Sequence, residues 1–133
     1  MLSVANKTRQ RQPRVAFSDI VDFVLGPDYE LSLVFCGDTR SKNLNRTYRG
    51  IDKPTNILSF PFDDHSGEIF IDLSRLYKEY RKKCELFFPR RTASVPLWST
   101  FLFIHGLLHL KGFDHSDKME SEERKILRHF LGE

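Results

Sequence analysis

Apolar and polar residues recur along this chain with two periods, and the switches between them mark its elements. Leu31, Leu33 and Phe35 face one side while Ser32, Val34 and Cys36 face the other, the period-two alternation of a strand. Asn56 to Phe60 predicts a second short strand ended by Pro61, and Glu68 to Asp72 a third, with a loop through Asp63, Asp64, His65 and Gly67 between them. Met1 to Arg14 is polar and basic, and either frays or gives a short edge strand around Leu2 to Ala5. Helical spacing appears from Asp19 to Leu25, with Ser18 as N-cap and Gly26-Pro27 as the stop. Asp38 is placed to cap a second helix from Thr39 to about Tyr48, with Leu44 and Tyr48 turned inward and Arg40, Lys42 and Arg46 outward. A third helix runs from Leu73 to about Glu85, followed by a loop from Leu86 to Val95. The last runs from about Asp117 to Leu131 before Gly132, with an apolar stripe of Met119, Ile126, Leu127 and Phe130. Glu123 interrupts that stripe; a surface edge is its expected place, a buried partner the alternative. The pattern predicts an α/β (α+β) domain, a small mixed sheet of three to four strands packed with about five helices, its strand order undetermined.

One stretch departs from both periods. From Trp98 to Leu110 the chain is apolar on nearly every side, which predicts a helix buried inside the domain, with Ser94 as its cap and Pro96 in its first turn. Within it His105 and His109 stand four apart, so their Cβ atoms lie about 5–6 Å from each other on one face. Both rings then reach one metal ion at about 2.0–2.1 Å. A reversal permitted by Gly112 brings His115 toward the same ion. Satisfied core histidines are the competing reading, but burying several imidazoles without partners costs a few kcal/mol each. Three ligands leave a fourth position open, as in a catalytic zinc site, although imidazole also suits copper, iron and nickel.

The same helix reads His-Gly-Leu-Leu-His, so Gly106 stands where the His-Glu-x-x-His peptidase pattern has its general base. Asp52, Glu68 and Asp114 are the carboxylates left to assist, with Asp114 expected to orient a ring or cap the turn. Upstream, RTYRGIDKPTNILSFPF is richer in hydrogen-bonding groups than a connector needs. There Arg49 either holds a phosphate near the metal or pairs with Asp52 or a helix end. His65 is expected in a solvated loop, and His129 at a helix C-terminus needs no further role.

Composition narrows the class. The 133 residues are enough for one domain spanning 1–133, with 1–14 as its basic N-terminal segment, and 40% apolar and 29% charged residues exclude disorder. No apolar run reaches a membrane span, and the N-terminus lacks the order of a signal peptide, so a cytoplasmic protein with no membrane partner is expected. Cys36 and Cys84 have no metal spacing and are expected as free buried or half-buried thiols. The net charge of +3 is modest, but Lys7, Arg9, Arg11 and Arg14, and then Lys78, Arg81, Lys82, Lys83, Arg90 and Arg91, make two basic runs able to meet phosphates.

The run HGLLHLKGFDH closely resembles the signature of the bacterial rRNA maturation factors of the YbeY type, and DKPTNILSFPF resembles that family's second motif. LNRTYRG, GEIFID and the closing helix follow in the family's order, so the resemblance covers about Leu31 to Gly132. It implies a compact fold with a zinc-peptidase-like central histidine helix, and a single-strand-specific, metal-dependent endoribonuclease. It further implies action in 16S rRNA 3′-end maturation and ribosome quality control, with rRNA and the small ribosomal subunit or its proteins as partners. His105, His109 and His115 match the family's ligands to one zinc ion per chain. Arg49, with His105, is the catalytic candidate the resemblance carries over. Phe113 replaces the family's usual tyrosine, and the basic stretch before Val15 is outside the pattern. The alternatives are a non-catalytic zinc-containing assembly factor and a zinc hydrolase of another substrate class; the absent Glu at position 106 counts against a peptidase.

Overall fold

A computed structural model describes residues 1–132. The described residues form, in order, β1 (Leu2–Asn6), α1 (Phe17–Leu25), β2 (Glu30–Cys36), α2 (Asp38–Arg49), β3 (Ile57–Asp63), β4 (Ser66–Asp72), α3 (Leu73–Phe87), α4 (Val95–Leu110) and α5 (Asp117–Leu131). The four strands make one mixed sheet in the order β1-β2-β4-β3. β1, β2 and β4 run parallel, and β3 returns antiparallel along the β4 edge. Of the two outcomes expected for the N-terminal stretch, residues 2–6 take the edge strand.

Alternation along the strands divides the interior in two. Leu31, Leu33, Phe35, Ile57, Ile69 and Ile71 point to the main core, shared with α1, α3, α4 and α5. Cys36, Leu58 and Phe70 point to the other face, where Leu44 of α2 covers them. Helix α4 lies between the sheet and α1, α3 and α5, which is why its sequence is apolar all round. Ser94 caps it, accepting from Leu97 N at 3.1 Å. No helix among the described residues is long and apolar enough to cross a membrane. Both cysteines are buried and free, and burial pushes the Cys36 thiol up to about 12.

Helix α4 packs tightly on the sheet at Gly106. A Cβ there would sit 2.7 Å from Ile57 Cδ1, 3.0 Å from Ser59 Oγ and 3.2 Å from Ile69 Cδ1. The Ser59 hydroxyl also donates to the Gly106 carbonyl at 3.1 Å, which fixes helix against strand. The position of the peptidase glutamate therefore faces packed sheet and has no room for any side chain. Gly106→Ala is expected to lower stability by about 1–3 kcal/mol through overpacking, despite the better helix propensity of alanine. A urea midpoint equal to wild type would show that the sheet yields freely there.

Several boundaries differ from expectation for identifiable reasons. Helix α1 starts two residues early, at Phe17, and Ser18 lies inside it rather than capping it. Asp38 is the first residue of α2 and not its cap, because Arg75 claims its carboxylate through two 3.1 Å hydrogen bonds. Tyr48 is 66% exposed and rests only its ring near Phe60, while Ser41 and Asn45 are the residues α2 buries. Ser41 donates to Asp72 at 2.6 Å and Asn45 to the Lys53 carbonyl at 2.9 Å. Strand β3 continues through Pro61 because an edge strand tolerates a missing N–H, and its register shifts just beyond.

The Arg75 hydrogen bonds hold the Asp38 carboxyl below the usual carboxylate range. A depressed value means stabilisation present above the unfolded value near about 4 and lost as pH falls through the folded one. Because the paired side chains are 37% and 35% exposed, solvent screens them. Asp38→Asn is expected to cost only about 0.5–1 kcal/mol at neutral pH, and nothing near pH 2. A deficit of the same size at both pH values in denaturant titrations would assign the loss to packing instead.

Candidate metal centre

His105 and His109 project from one face of α4, and the end of that helix delivers the third ring. Gly112 adopts φ 101°, a conformation that favours glycine, and two hydrogen bonds close the turn: Phe113 N to Leu108 O at 3.0 Å and Gly112 N to His109 O at 3.1 Å. The chain reverses, and Ser116 starts α5 by accepting from Met119 N at 3.2 Å. His115 lies on the exposed link between the two helices, its ring centroid 5.1 Å from that of His105 and 4.7 Å from that of His109. One nitrogen from each ring falls within 4.8 Å of the others.

Hydrogen bonds to the outer nitrogens fix which atoms face inward. His105 Nδ1 is 2.8 Å from Glu123 Oε2, and His109 Nδ1 is 3.0 Å from the Phe113 carbonyl. Both partners accept, so both Nδ1 atoms carry a proton and, in the neutral ring, both Nε2 atoms present lone pairs. Those Nε2 atoms are 3.1 Å apart. Burial first, and then the neighbouring His105, push the His109 pKa below its ordinary value, which favours the neutral ring of His109. Two lone pairs at that distance repel unless a cation lies between them. Ligand distances of about 2.0–2.1 Å put tetrahedral donors about 3.3 Å apart, so the donor set fits a divalent ion such as zinc.

Glu123 is the contributor the sequence reading placed elsewhere. It is not at a surface edge: it is 6% exposed and holds the ring of His105. The available signal was an acid inside the apolar stripe of a helix that follows the histidines directly. Asp114, expected to orient a ring, is exposed, and the Phe113 carbonyl performs that task. The two other candidate carboxylates point elsewhere. Asp52 is exposed near Arg46 at 3.9 Å, and Glu68 accepts from Ser32 at 3.0 Å on the α2 side of the sheet.

The structure does not bring Arg49 into the group of histidines. It ends α2, exposed, on the opposite sheet face, and forms neither an ion pair nor a side-chain hydrogen bond among the described residues. Asp52 pairs with Arg46 rather than with Arg49. The two features nevertheless meet one strand: Gly106 touches Ser59 on one side of β3, and Tyr48, next to Arg49, lies 5.0 Å from Phe60 on the other. His65 lies exposed in the β3–β4 turn, and His129 stacks on Phe23 at 4.2 Å.

Comparison with known proteins gives this geometry its family. The solution structure of TM1509 from Thermotoga maritima shares the fold, with a TM-score of 0.65 over 99% of this chain and 90% of that one at 20% identity. A protein of Alkaliphilus metalliredigens named endoribonuclease YbeY is 36% identical over 74% of this chain, which spans 66% of that relative's length. Relatives of the same name from Geobacter sulfurreducens and Chromohalobacter salexigens are 30% and 40% identical, over 94% and 77% of this chain and 89% and 69% of their own lengths. The family model described as endoribonuclease YbeY matches residues 3–131, and the chain belongs to that enzyme family.

Proposed function

We propose that this chain is a metal-dependent endoribonuclease that cuts single-stranded RNA, with one zinc ion held by His105, His109 and His115. The observation that carries this reading is the pair of Nε2 atoms 3.1 Å apart, each with its outer nitrogen tied to an acceptor. Zinc bound there supplies Lewis acidity toward a phosphoryl oxygen and toward water. The protein's own part is orientation: Glu123 and the Phe113 carbonyl hold two rings in one tautomer, and the Gly112 turn supplies the third. Arg49 is the planar cation for a phosphate of the same strand, reached across edge strand β3. The substrate we assign is the 3′ end of 16S rRNA during maturation and ribosome quality control. The small ribosomal subunit or its proteins present it, in the cytoplasm.

The test compares wild type and Arg49→Ala on a 16S 3′-end precursor and on a peptide library. Wild type is expected to cut only the RNA, and Arg49→Ala to keep its metal while cutting about 100-fold more slowly. Peptide hydrolysis with none on RNA would reverse the assignment. Metal-replete protein that binds small subunits but cuts no RNA would make the chain an assembly factor instead.

A further inference from the structure

On one side of the histidines, α3, α4 and the start of α5 border an open cavity of about 520 Å³ that has His105 and His115 in its wall and extends beyond them to residues with no part in holding the metal. One wall is a ladder of aromatic rings. Phe87 and Trp98 lie 5.8 Å apart at 23°, Phe87 and Phe101 5.7 Å apart at 26°, and Trp98 and Phe101 5.3 Å apart at 19°. The ladder continues to the metal site, since Phe101 and His105 are 6.2 Å apart at 29°. Trp98 is buried behind the others and anchored by its Nε1 donating to Glu79 at 3.1 Å. Phe87, by contrast, keeps 38% of its surface exposed and borders the cavity together with Phe101. The facing rim is the first turns of α5, where Asp117 is exposed and Glu120 stands 3.9 Å from Arg124.

These walls select among occupants. The rim sets the carboxylates of Asp117 and Glu120 against the single guanidinium of Arg124, which disfavours a phosphate, and an aliphatic chain buries apolar area on the rings but leaves those carboxylates without a donor. A nucleobase is flat and uncharged, stacks on such a wall, and offers amino hydrogens to the carboxylates. We propose that this cavity is a subsite for one unpaired nucleobase, stacked on Phe87 and Phe101 while the adjoining backbone passes the three histidines. The inference rests on the endoribonuclease reading and gives it a source of strand selectivity. A base enters only when it has no pairing partner, so a duplex is excluded by the cost of unstacking and unpairing it. Uracil, which has no amino group for Asp117 or Glu120, is the poorest occupant.

The test is a cycle between base and ring. Metal-loaded wild type, Phe87→Leu and Phe101→Leu are titrated, by fluorescence anisotropy, into labelled octaribonucleotides with a single abasic site moved along the strand. One abasic position is expected to weaken binding to wild type about tenfold, and to matter less than about twofold in either variant. Restoring uracil at that position is expected to recover less affinity than restoring adenine. Equal binding of every abasic strand, or a position effect that survives both substitutions, would overturn the subsite. Phe87 is exposed, so Phe87→Leu decides the question even where Phe101→Leu disturbs the fold. Products from the same samples are resolved on a gel. Cutting without a position effect removes the subsite and leaves the nuclease; a position effect without cutting does the reverse.

Discussion

His109→Ala is expected to lose bound zinc and RNA cleavage together while remaining folded. His109 contributes one of two Nε2 atoms that stand 3.1 Å apart, and its loss leaves His105 with only the ring on the exposed turn. Two imidazoles, one of them on an exposed link, hold a divalent ion far more weakly than three. A Lewis acid stabilises a phosphoryl-transfer transition state by several kcal/mol, and each 1.36 kcal/mol is tenfold in rate, so cleavage should fall by about a thousandfold or more. The fold does not depend on the ring to the same degree. Its one bond to the main chain is with the Phe113 carbonyl, in a turn already closed by two backbone hydrogen bonds. Circular dichroism and metal analysis of one preparation check both halves. A folded variant without metal that cuts at the wild-type rate would remove the metal from the chemistry.

Glu123→Ala should have the next largest effect, without touching a ligand. Its carboxylate accepts the Nδ1 proton of His105 at 2.8 Å from a position 6% exposed. Without it the ring is free to turn or to change tautomer, and zinc affinity is expected to fall about 10–100-fold. Glu123→Gln keeps an acceptor oxygen on the same stem and should recover most of that loss. Stability in chelator should fall too, because the partner is left behind. Glu123→Met, one helical turn from Met119, leaves the His105 Nδ1–H without its acceptor and is expected to lower metal-free stability by about 1–3 kcal/mol, while zinc affinity drops as in Glu123→Ala. Equal zinc affinity in all four proteins, measured by calorimetric titration, would reduce Glu123 to a packing residue.

What the sequence made legible follows from the range of each signal. The histidine triad needs only helical spacing and one glycine that permits a reversal, both local, and the three rings meet as that spacing implies. The all-round apolar character of α4 announced its burial for the same reason. Tyr48 was misplaced because α2 covers a small second cluster of Cys36, Leu58 and Phe70, so the polar Ser41 and Asn45 reach inward to partners far along the chain. Asp38 looked like a cap until Arg75, 37 residues on, claimed it. An acid inside the apolar stripe of α5 left a buried partner open for Glu123, but which partner it takes depends on how α5 folds back over α4, beyond the reach of a local pattern. The crowding at Gly106 is equally invisible in one sequence, although the glycine itself already told against a peptidase base.

The measurement closest to the central claim is metal content alongside RNA cleavage, on one wild-type preparation as purified, after chelation, and after zinc is returned. The three-histidine site predicts about one ion per chain, cleavage abolished with its removal, and cleavage restored with zinc. Undiminished cleavage by the chelated, metal-free chain, or a folded chain that takes up no metal at all, would contradict it.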